Sequence, residues 1–369
     1  MKKVLYVTTV SRTINAFLIP HINHLIDMGY QVDCACSIDK PINSGLFNSD
    51  VRIFEVSYQR VPFSSKNFRA LRQIEELYKN EKYDVIHVHT PVAAFFTRLL
   101  KRKFPEAKII YTCHGFHFYK GASIDKWIMY YNAEKLMAKY TDRIIVINEE
   151  DFKNAKKLGF QEENIFKING VGIEEITKVQ IVSDIRKEVG ISKKDFVITV
   201  VAEVNKNKNQ IQLLKAMRKL VHRHADIKVL LVGEGNMQRV IKKKIDTYKL
   251  NHNVFMVGHR TDVYSIMSQS DVIGLFSKRE GLPRCLMEAM SLGKPLLVTD
   301  NRGSRELVIP NINGLIVKAG DIKETCRAIS KLYEDEKSRI SMGSCSKSII
   351  KRFTLDSILK QLEDVYSTI

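Results

Sequence analysis

Short apolar runs alternate with amphipathic stretches along the whole 369-residue chain. In the first half the runs are Val4–Thr9, Gln31–Ser37, Arg52–Val56, Asp84–His89, Lys108–Cys113 and Arg143–Ile147, followed by a strand-like Asn164–Asn169. In the second half they are Phe196–Val201, Lys228–Val232, Asn253–Val257, Asp271–Phe276 and Pro295–Thr299. Several are apolar at nearly every position. A strand with one wet face would alternate with period two, so a continuous run marks a strand buried on both faces, in a parallel sheet under helices. Repeated strand–helix units of this length predict an α/β protein with doubly wound sheets.

The pattern resets over residues 170–184, where Val171-Gly172-Ile173-Glu174 leads into a weakly periodic stretch ahead of a fresh strand at Phe196. This predicts two Rossmann-like domains facing a cleft. The N-terminal domain covers residues 1–172 and the C-terminal domain 173–349. Ligands in such sheets bind beyond the carboxyl ends of the strands. Residues 350–369 carry an apolar stripe, Ile358, Leu359, Leu362, Val365 and Tyr366, at helical spacing. They read as a C-terminal helix that packs on its own domain or crosses back to the N-terminal one.

Apolar and charged contents of 44% and 27% are ordinary for a globular chain, but a net charge of +18 is not. The excess is spread over both halves. A basic surface suits an anionic partner (nucleic acid, lipid headgroups or a phosphate-bearing substrate) or serves solubility. The segment Phe95–Phe104 mixes apolar residues with Arg98, Lys101, Arg102 and Lys103. It fits either an anionic membrane interface or a packing helix with a basic edge. No run reaches the roughly 18 apolar residues of a membrane span. Met1–Val7 reads as a first strand rather than a leader, and six scattered cysteines read as reduced thiols. The expected location is the cytoplasm, with peripheral association at the inner membrane face. Nucleic acid is not an expected partner, because no helix-turn-helix and no aromatic-interleaved basic strand occurs.

Several constellations could carry chemistry. Glu280 and Glu288 bracket Gly281-Leu282-Pro283-Arg284, a turn with Pro283 suited to the first helical position. First-turn N–H groups there can seat an anion; the alternative is a plain loop with two solvated glutamates. Lys206 or Lys208, in a loop after the strand Phe196–Val201, can neutralise a diphosphate or simply be solvated. Val232-Gly233-Glu234-Gly235 permits close backbone approach, and the loop holding Arg260 could rest against a base or ribose. His114 and His117 follow the strand Lys108–Cys113; His114 can hydrogen-bond a sugar hydroxyl or accept a proton. After the first strand, Ser11–Asn15 stands where a dinucleotide enzyme has its glycine loop, and no glycine occurs before Gly29, which argues against a pyrophosphate cofactor there. Walker A and Gly-x-Ser-x-Gly sequences are absent as well.

Taken together, Tyr6–Thr9, Asp84–Pro91, Thr112–Tyr119, Asn205–Gln210, Glu280–Glu288, Ser291–Thr299 and Asn313–Val317, in this order over nearly the whole chain, resemble the retaining glycosyltransferases of family 4. The likeness is strongest to the bacterial exopolysaccharide and capsule type. The resemblance implies the GT-B fold and a hexosyltransferase moving a sugar from a nucleotide-sugar, a UDP-sugar in this reading, to a lipid-linked saccharide. It implies that Glu280 binds donor-sugar hydroxyls and Glu288 the ribose. Lys208 and the backbone from Gly281 to Arg284 hold the diphosphate, Arg260 lies near the base, and His114 lies near the reacting sugar. Arg12, Asn15 and His117 are the acceptor-side candidates. No cofactor and no metal is expected, and no Asp-x-Asp occurs to hold one. Two departures stand out. Glu203 replaces an arginine that the family pairs with the lysine, so it must point away or pair with Lys206 or Arg284. Ser11–Asn15 replaces a glycine-rich turn, where Arg12 takes over part of its role. A nucleotide-sugar epimerase of the same fold is the alternative enzyme, and a basic nucleic-acid-binding protein the alternative without catalysis.

Overall fold

The computed structural model describes residues 1–176 and 178–367, apart from the side chain of Lys126. The chain divides into two compact units, Met1–Gly172 with Ile358–Ile369, and Ile173–Ser357.

The first unit holds seven strands: β1 Lys3–Val10, β2 Gln31–Ser37, β3 Ile53–Glu55, β4 Val85–His89, β5 Lys108–Cys113, β6 Arg143–Val146 and β7 Ile165–Lys167. They form one sheet in the order β3-β2-β1-β4-β5-β6-β7, paired in parallel throughout. The second unit holds β8 Phe196–Val201, β9 Ile227–Val232, β10 Val254–Gly258, β11 Val272–Leu275, β12 Leu296–Thr299 and β13 Gly314–Val317. Their order is β10-β9-β8-β11-β12-β13, again all parallel. The expected α/β class with doubly wound sheets therefore holds. The apolar runs were informative because these strands are covered on both faces: in β1 every residue after Lys3 is buried, and in β4 all five are. Two details differ. The edge strands β3 and β7 have only three residues each, and β13, a four-residue strand beginning at Gly314, was not anticipated as a strand.

Helix ends follow local chemistry. The Asn148 side chain accepts from the Asp151 N–H to start helix Glu149–Leu158, and Gly159 at φ 98° ends it, as expected of an N-cap asparagine and a left-handed glycine. The helix Leu355–Ser367 buries Ile358, Leu362, Val365 and Tyr366. Within the first unit, Gln361 Oε1 accepts from the Asn169 N–H at 3.1 Å, and Arg143 donates to the Val365 carbonyl. The Tyr366 hydroxyl lies 2.8 Å from His87 Nδ1. No helix among the described residues is long and apolar enough to cross a membrane.

Both sheets reverse their strand order once, between β1 and β4 and between β8 and β11. Connections leave such a pair of neighbouring strands in opposite directions, and a crevice opens at their carboxyl ends. The loops after β1, β4, β8 and β11 are therefore the places to look for a site.

Candidate active site

In the second unit the loop after β8 carries Lys208 and the loop after β11 carries Glu280. The Lys208 ammonium donates to Glu280 Oε1 at 2.7 Å. Sequence reading assigned the two residues separate roles; the structure makes them one pair. Burial disfavours the lysine's charge, but Glu280, Cys285 and Glu203 outweigh it, so the Lys208 pKa lies above its usual value.

The pair is held by its loops. Asn205 Oδ1 accepts from the N–H groups of Asn207 and Lys208, both at 3.0 Å, the local turn that asparagine side chains favour. Asn207 then ties this loop to the other: its side chain donates to the Arg279 carbonyl at 3.0 Å, and its carbonyl accepts from the Lys278 N–H at 2.8 Å. Arg302, only 5% exposed, donates to the Glu280 carbonyl at 3.3 Å. A Cβ on Gly303 would stand 2.6 Å from the Gly281 carbonyl oxygen, so only glycine lets the helix Arg302–Leu307 approach this turn. On the other side, a Cβ on Gly233 would stand 2.3 Å from the Ala202 oxygen. Asn205, Asn207, Arg302 and Gly303 escaped notice as supports. Only the Asn-x-Asn turn had a sequence signal.

Glu280 is followed by Gly281 and Leu282, and the helix runs Arg284–Ser291 with Pro283 as its N-cap. This corrects the expectation of Pro283 at the first helical position by one residue. Proline at the cap leaves the N–H groups of Arg284 and Cys285 to open the helix, and the Pro283 carbonyl accepts from Leu286 at 3.1 Å. Burial pushes the Cys285 thiol up to about 12, so it is no nucleophile at neutral pH. Glu288 lies one turn on. Its Oε1 accepts from Arg284 Nε at 3.0 Å and from the Tyr264 hydroxyl at 3.2 Å. Glu203 is exposed and makes no ion pair among the described residues, so neither Lys206 nor Arg284 compensates it. Arg260 is engaged by Asp262 Oδ1 and Glu188 Oε1, both at 2.8 Å. Its charge is matched by two carboxylates.

In the first unit Thr90, directly after β4, adopts φ 66°, a conformation a β-branched residue rarely takes and one that gathers at functional sites. Its hydroxyl accepts from the Thr9 N–H at 3.0 Å, joining the ends of β1 and β4. His114 follows β5. Its Nε2 lies 3.2 Å from His89 Nδ1, and its ring packs edge-on to Phe17 at 5.2 Å. Gly115 at φ 133° turns the chain directly after it. Burial first, then the charge of His21, holds the His114 pKa down at about 4. His114 is therefore neutral at pH 7, fit to hydrogen-bond a hydroxyl and poor as a proton acceptor. His117 stacks on Tyr130 at 4.7 Å.

Arg12 donates from its side chain to Asp39 Oδ2, and Asn15 holds the neighbouring loop through the Pro41 carbonyl at 2.8 Å and the Asn43 N–H at 3.1 Å. Both shape the turn that stands in place of the glycine-rich one. In segment Phe95–Phe104, Phe96, Thr97, Arg98 and Leu100 are buried while Arg102 and Lys103 are exposed, a helix packed on its domain with a basic edge. Its packing-helix reading is the one the structure gives.

His21, His87, His89 and His114 all have lowered pKa values, with burial the largest cause in each. The unfolded chain titrates them near 6.5. Their folded pKa values are depressed, so the stability they permit is complete above that pH and is lost as pH falls. The window for His114 runs from about 6.5 down to about 4, and each neutral-held ring removes about 1.4 kcal/mol per pH unit. Urea midpoints should therefore fall steeply from pH 6.5 to 5. A flat profile would contradict neutral burial.

Residues 3–148 match the model of glycosyl transferase 4-like domains, and residues 182–348 that of glycosyl transferases group 1. EpsD of Bacillus subtilis, assigned as a glycosyltransferase, is 32% identical over 372 residues, covering 99% of this chain and 96% of that protein. The Escherichia coli UDP-Gal:α-D-GlcNAc-diphosphoundecaprenol α-1,3-galactosyltransferase is 26% identical, covering 91% and 89%. Among solved structures, Anabaena HepE in complex with UDP and glucose superposes with a TM-score of 0.82 at 20% identity, covering 100% of both chains. The two reversing parallel sheets and this full-length similarity place the chain in the glycosyltransferase family, with the two-domain GT-B fold.

Proposed function

We propose that the protein is a retaining hexosyltransferase of family 4. It moves a sugar from a UDP-sugar to a lipid-linked saccharide in exopolysaccharide or capsule synthesis, working in the cytoplasm at the inner membrane face. The observation that carries the reading is the Lys208–Glu280 pair, 2.7 Å apart, at the strand reversal of the second sheet, with the helix Arg284–Ser291 opening beside it. The E. coli relative is named for a UDP-galactose donor and a diphosphoundecaprenol-linked acceptor, and the Anabaena structure holds UDP and glucose; both support the choice of substrate classes.

In this reading the donor diphosphate lies against Lys208 and the N–H groups of Arg284 and Cys285. Glu280 turns to the sugar hydroxyls and Glu288 to the ribose. The bond between the sugar's C1 and the phosphate oxygen breaks as an acceptor hydroxyl bonds to C1 on the same face, and the hydroxyl proton leaves with the departing phosphate. Fixed positive charge and N–H dipoles stabilise the charge that develops on the leaving group. Neutral His114 orients a sugar hydroxyl. No metal is assigned a role, and activity should survive chelation by EDTA.

A melting screen against UDP-, GDP- and ADP-sugars, followed by mass spectrometry with polyprenyl-diphosphate saccharides, tests the reading. A UDP-sugar should raise Tm, and a product one hexose heavier with an unchanged anomeric configuration should form. An inverted product would overturn retention. A new nucleotide-sugar formed from donor alone would favour the epimerase.

A further inference from the structure

The first unit carries an apolar groove of about 350 Å³, walled by Phe63, Phe68, Phe95, Phe96 and Met129 among others. Among the described residues its one charged lining residue is Glu134, already bonded to Arg98 at 2.8 Å. The walls continue onto open surface. Phe63 is 84% exposed and Phe68 59%, while Ile124 and Ile128, on the helix Ile124–Ala138 that supplies Met129, are 77% and 59% exposed. Contiguous apolar surface of this kind marks a binding site rather than chance exposure.

Two further observations identify what it binds. The first is position. Pro91, in the groove wall, directly follows the Thr90 that joins β1 and β4. Tyr130, also in the wall, stacks on His117 at 4.7 Å. The groove thus runs up to the acceptor-side residues of its own unit. The second is charge. No acidic residue occurs between Glu55 and Glu75, whereas Arg60, Lys66, Arg69 and Arg72 are all exposed there and form no ion pair among the described residues. They lie on the loop and helix that supply Phe63 and Phe68, and Arg72 stands one helical turn from Phe68 on the same face. An apolar channel rimmed by uncompensated cations matches a molecule with a long hydrocarbon tail and an anionic head.

The geometry points to this groove as the seat of the prenyl chain of a polyprenyl-diphosphate-linked acceptor, with the diphosphate met by the cationic rim. The inference rests on the lipid-linked acceptor of the proposed function and adds where, and by which residues, the lipid is held. It also moves the membrane-facing surface from the segment Phe95–Phe104 as a whole to the rim of Phe63, Phe68 and Ile128.

The single tryptophan, Trp127, is stacked on Tyr131 at 5.0 Å in the helix that lines the groove, and so reports on binding. Its fluorescence should saturate on titration with geranylgeranyl diphosphate and respond far less to inorganic diphosphate. Phe68→Glu should weaken geranylgeranyl diphosphate at least about tenfold, and the pair Arg69→Glu and Arg72→Glu should weaken it further at low salt than at high salt. Both variants should keep the UDP-sugar melting shift. Equal affinity in wild type and Phe68→Glu would overturn the assignment. So would a self-associating wild type, by analytical ultracentrifugation, that Phe68→Glu turns monomeric without any lipid effect, because a second copy would then fill the groove. Adsorption to anionic vesicles that Phe68→Glu abolishes, with geranylgeranyl diphosphate binding unchanged, would also overturn it in favour of a bare bilayer contact. If geranylgeranyl diphosphate binds as expected while no nucleotide-sugar shifts Tm, the donor reading fails and the groove stands. The reverse pattern removes the groove alone.

Discussion

Replacing Lys208 by methionine lowers kcat/KM for the nucleotide-sugar by about 100- to 1,000-fold, the scale of losing one preorganised charge at a leaving group. That is about 2.7–4 kcal/mol of transition-state stabilisation. The loss is expected to be this large because the two other cations assigned to the donor, Arg284 and Arg260, are already engaged by carboxylates, Arg284 by Glu288 and Arg260 by Asp262 and Glu188. Glu203 adds negative field beside Lys208. Methionine preserves the stem, so packing changes little. The variant does leave Glu280 without the 2.7 Å partner it has in the wild type, and a modest stability loss of about 1–2 kcal/mol accompanies the change. Calorimetry with UDP-sugar and steady-state kinetics separate the two effects. Wild-type affinity for the donor, with Tm alone reduced, would show that the lysine only braces Glu280.

The second large effect is on stability. Arg98 is fully buried. It donates to Glu134 at 2.8 Å and to the Ala94 carbonyl at 2.9 Å, and its guanidinium lies 4.3 Å from the Tyr111 ring centre. Its Nη1 has no hydrogen-bond partner among the described residues. Glu134→Ala removes the counter-charge from a buried cation that is already short of one partner. Breaking a buried pair from one side costs about 3–5 kcal/mol, and urea unfolding should register a loss of that size. Arg98→Met with Glu134→Leu should recover most of it, since replacing both charges by apolar groups is often neutral or better. If Glu134→Ala unfolds at the wild-type midpoint, the pair contributes nothing net.

Much of the frame was legible because buried parallel strands leave continuous apolar runs, as in Val4–Val7 and Phe196–Val201. Where that signal is short it fails. The edge strands β3 and β7 kept only three residues, and Gly314–Val317 is too brief to separate from a loop. Glu280, Glu288 and Lys208 were legible as types at strand ends. Their arrangement was not: the Lys208–Glu280 pair and the Arg302 support span 72 and 22 residues, and no local pattern announces such pairs. Phe95–Phe104 kept two readings open for the same reason. Arg98 looks like a surface base until Glu134, 36 residues on, is seen to meet it. Conversely, Phe63 and Phe68 resemble core residues in any hydropathy pattern, and only the fold leaves them in water.

The route of the chain through the two units sets an order on its synthesis. Strands β1 to β7 leave the ribosome first, yet the first unit also takes Ile358–Ile369, which emerge only after the whole of the second unit. Until then His87 lacks the Tyr366 hydroxyl, the Asn169 N–H lacks Gln361, and Arg143 lacks the Val365 carbonyl. Domains generally fold as units in the order in which they appear. Here the second unit has its complete set of strands while the first still waits for its closing helix. The nascent first half therefore shows an apolar flank to the cell for the time needed to translate the second half. A released chain ending at Ser357 would hold the whole second unit and leave the first unit a client for chaperones.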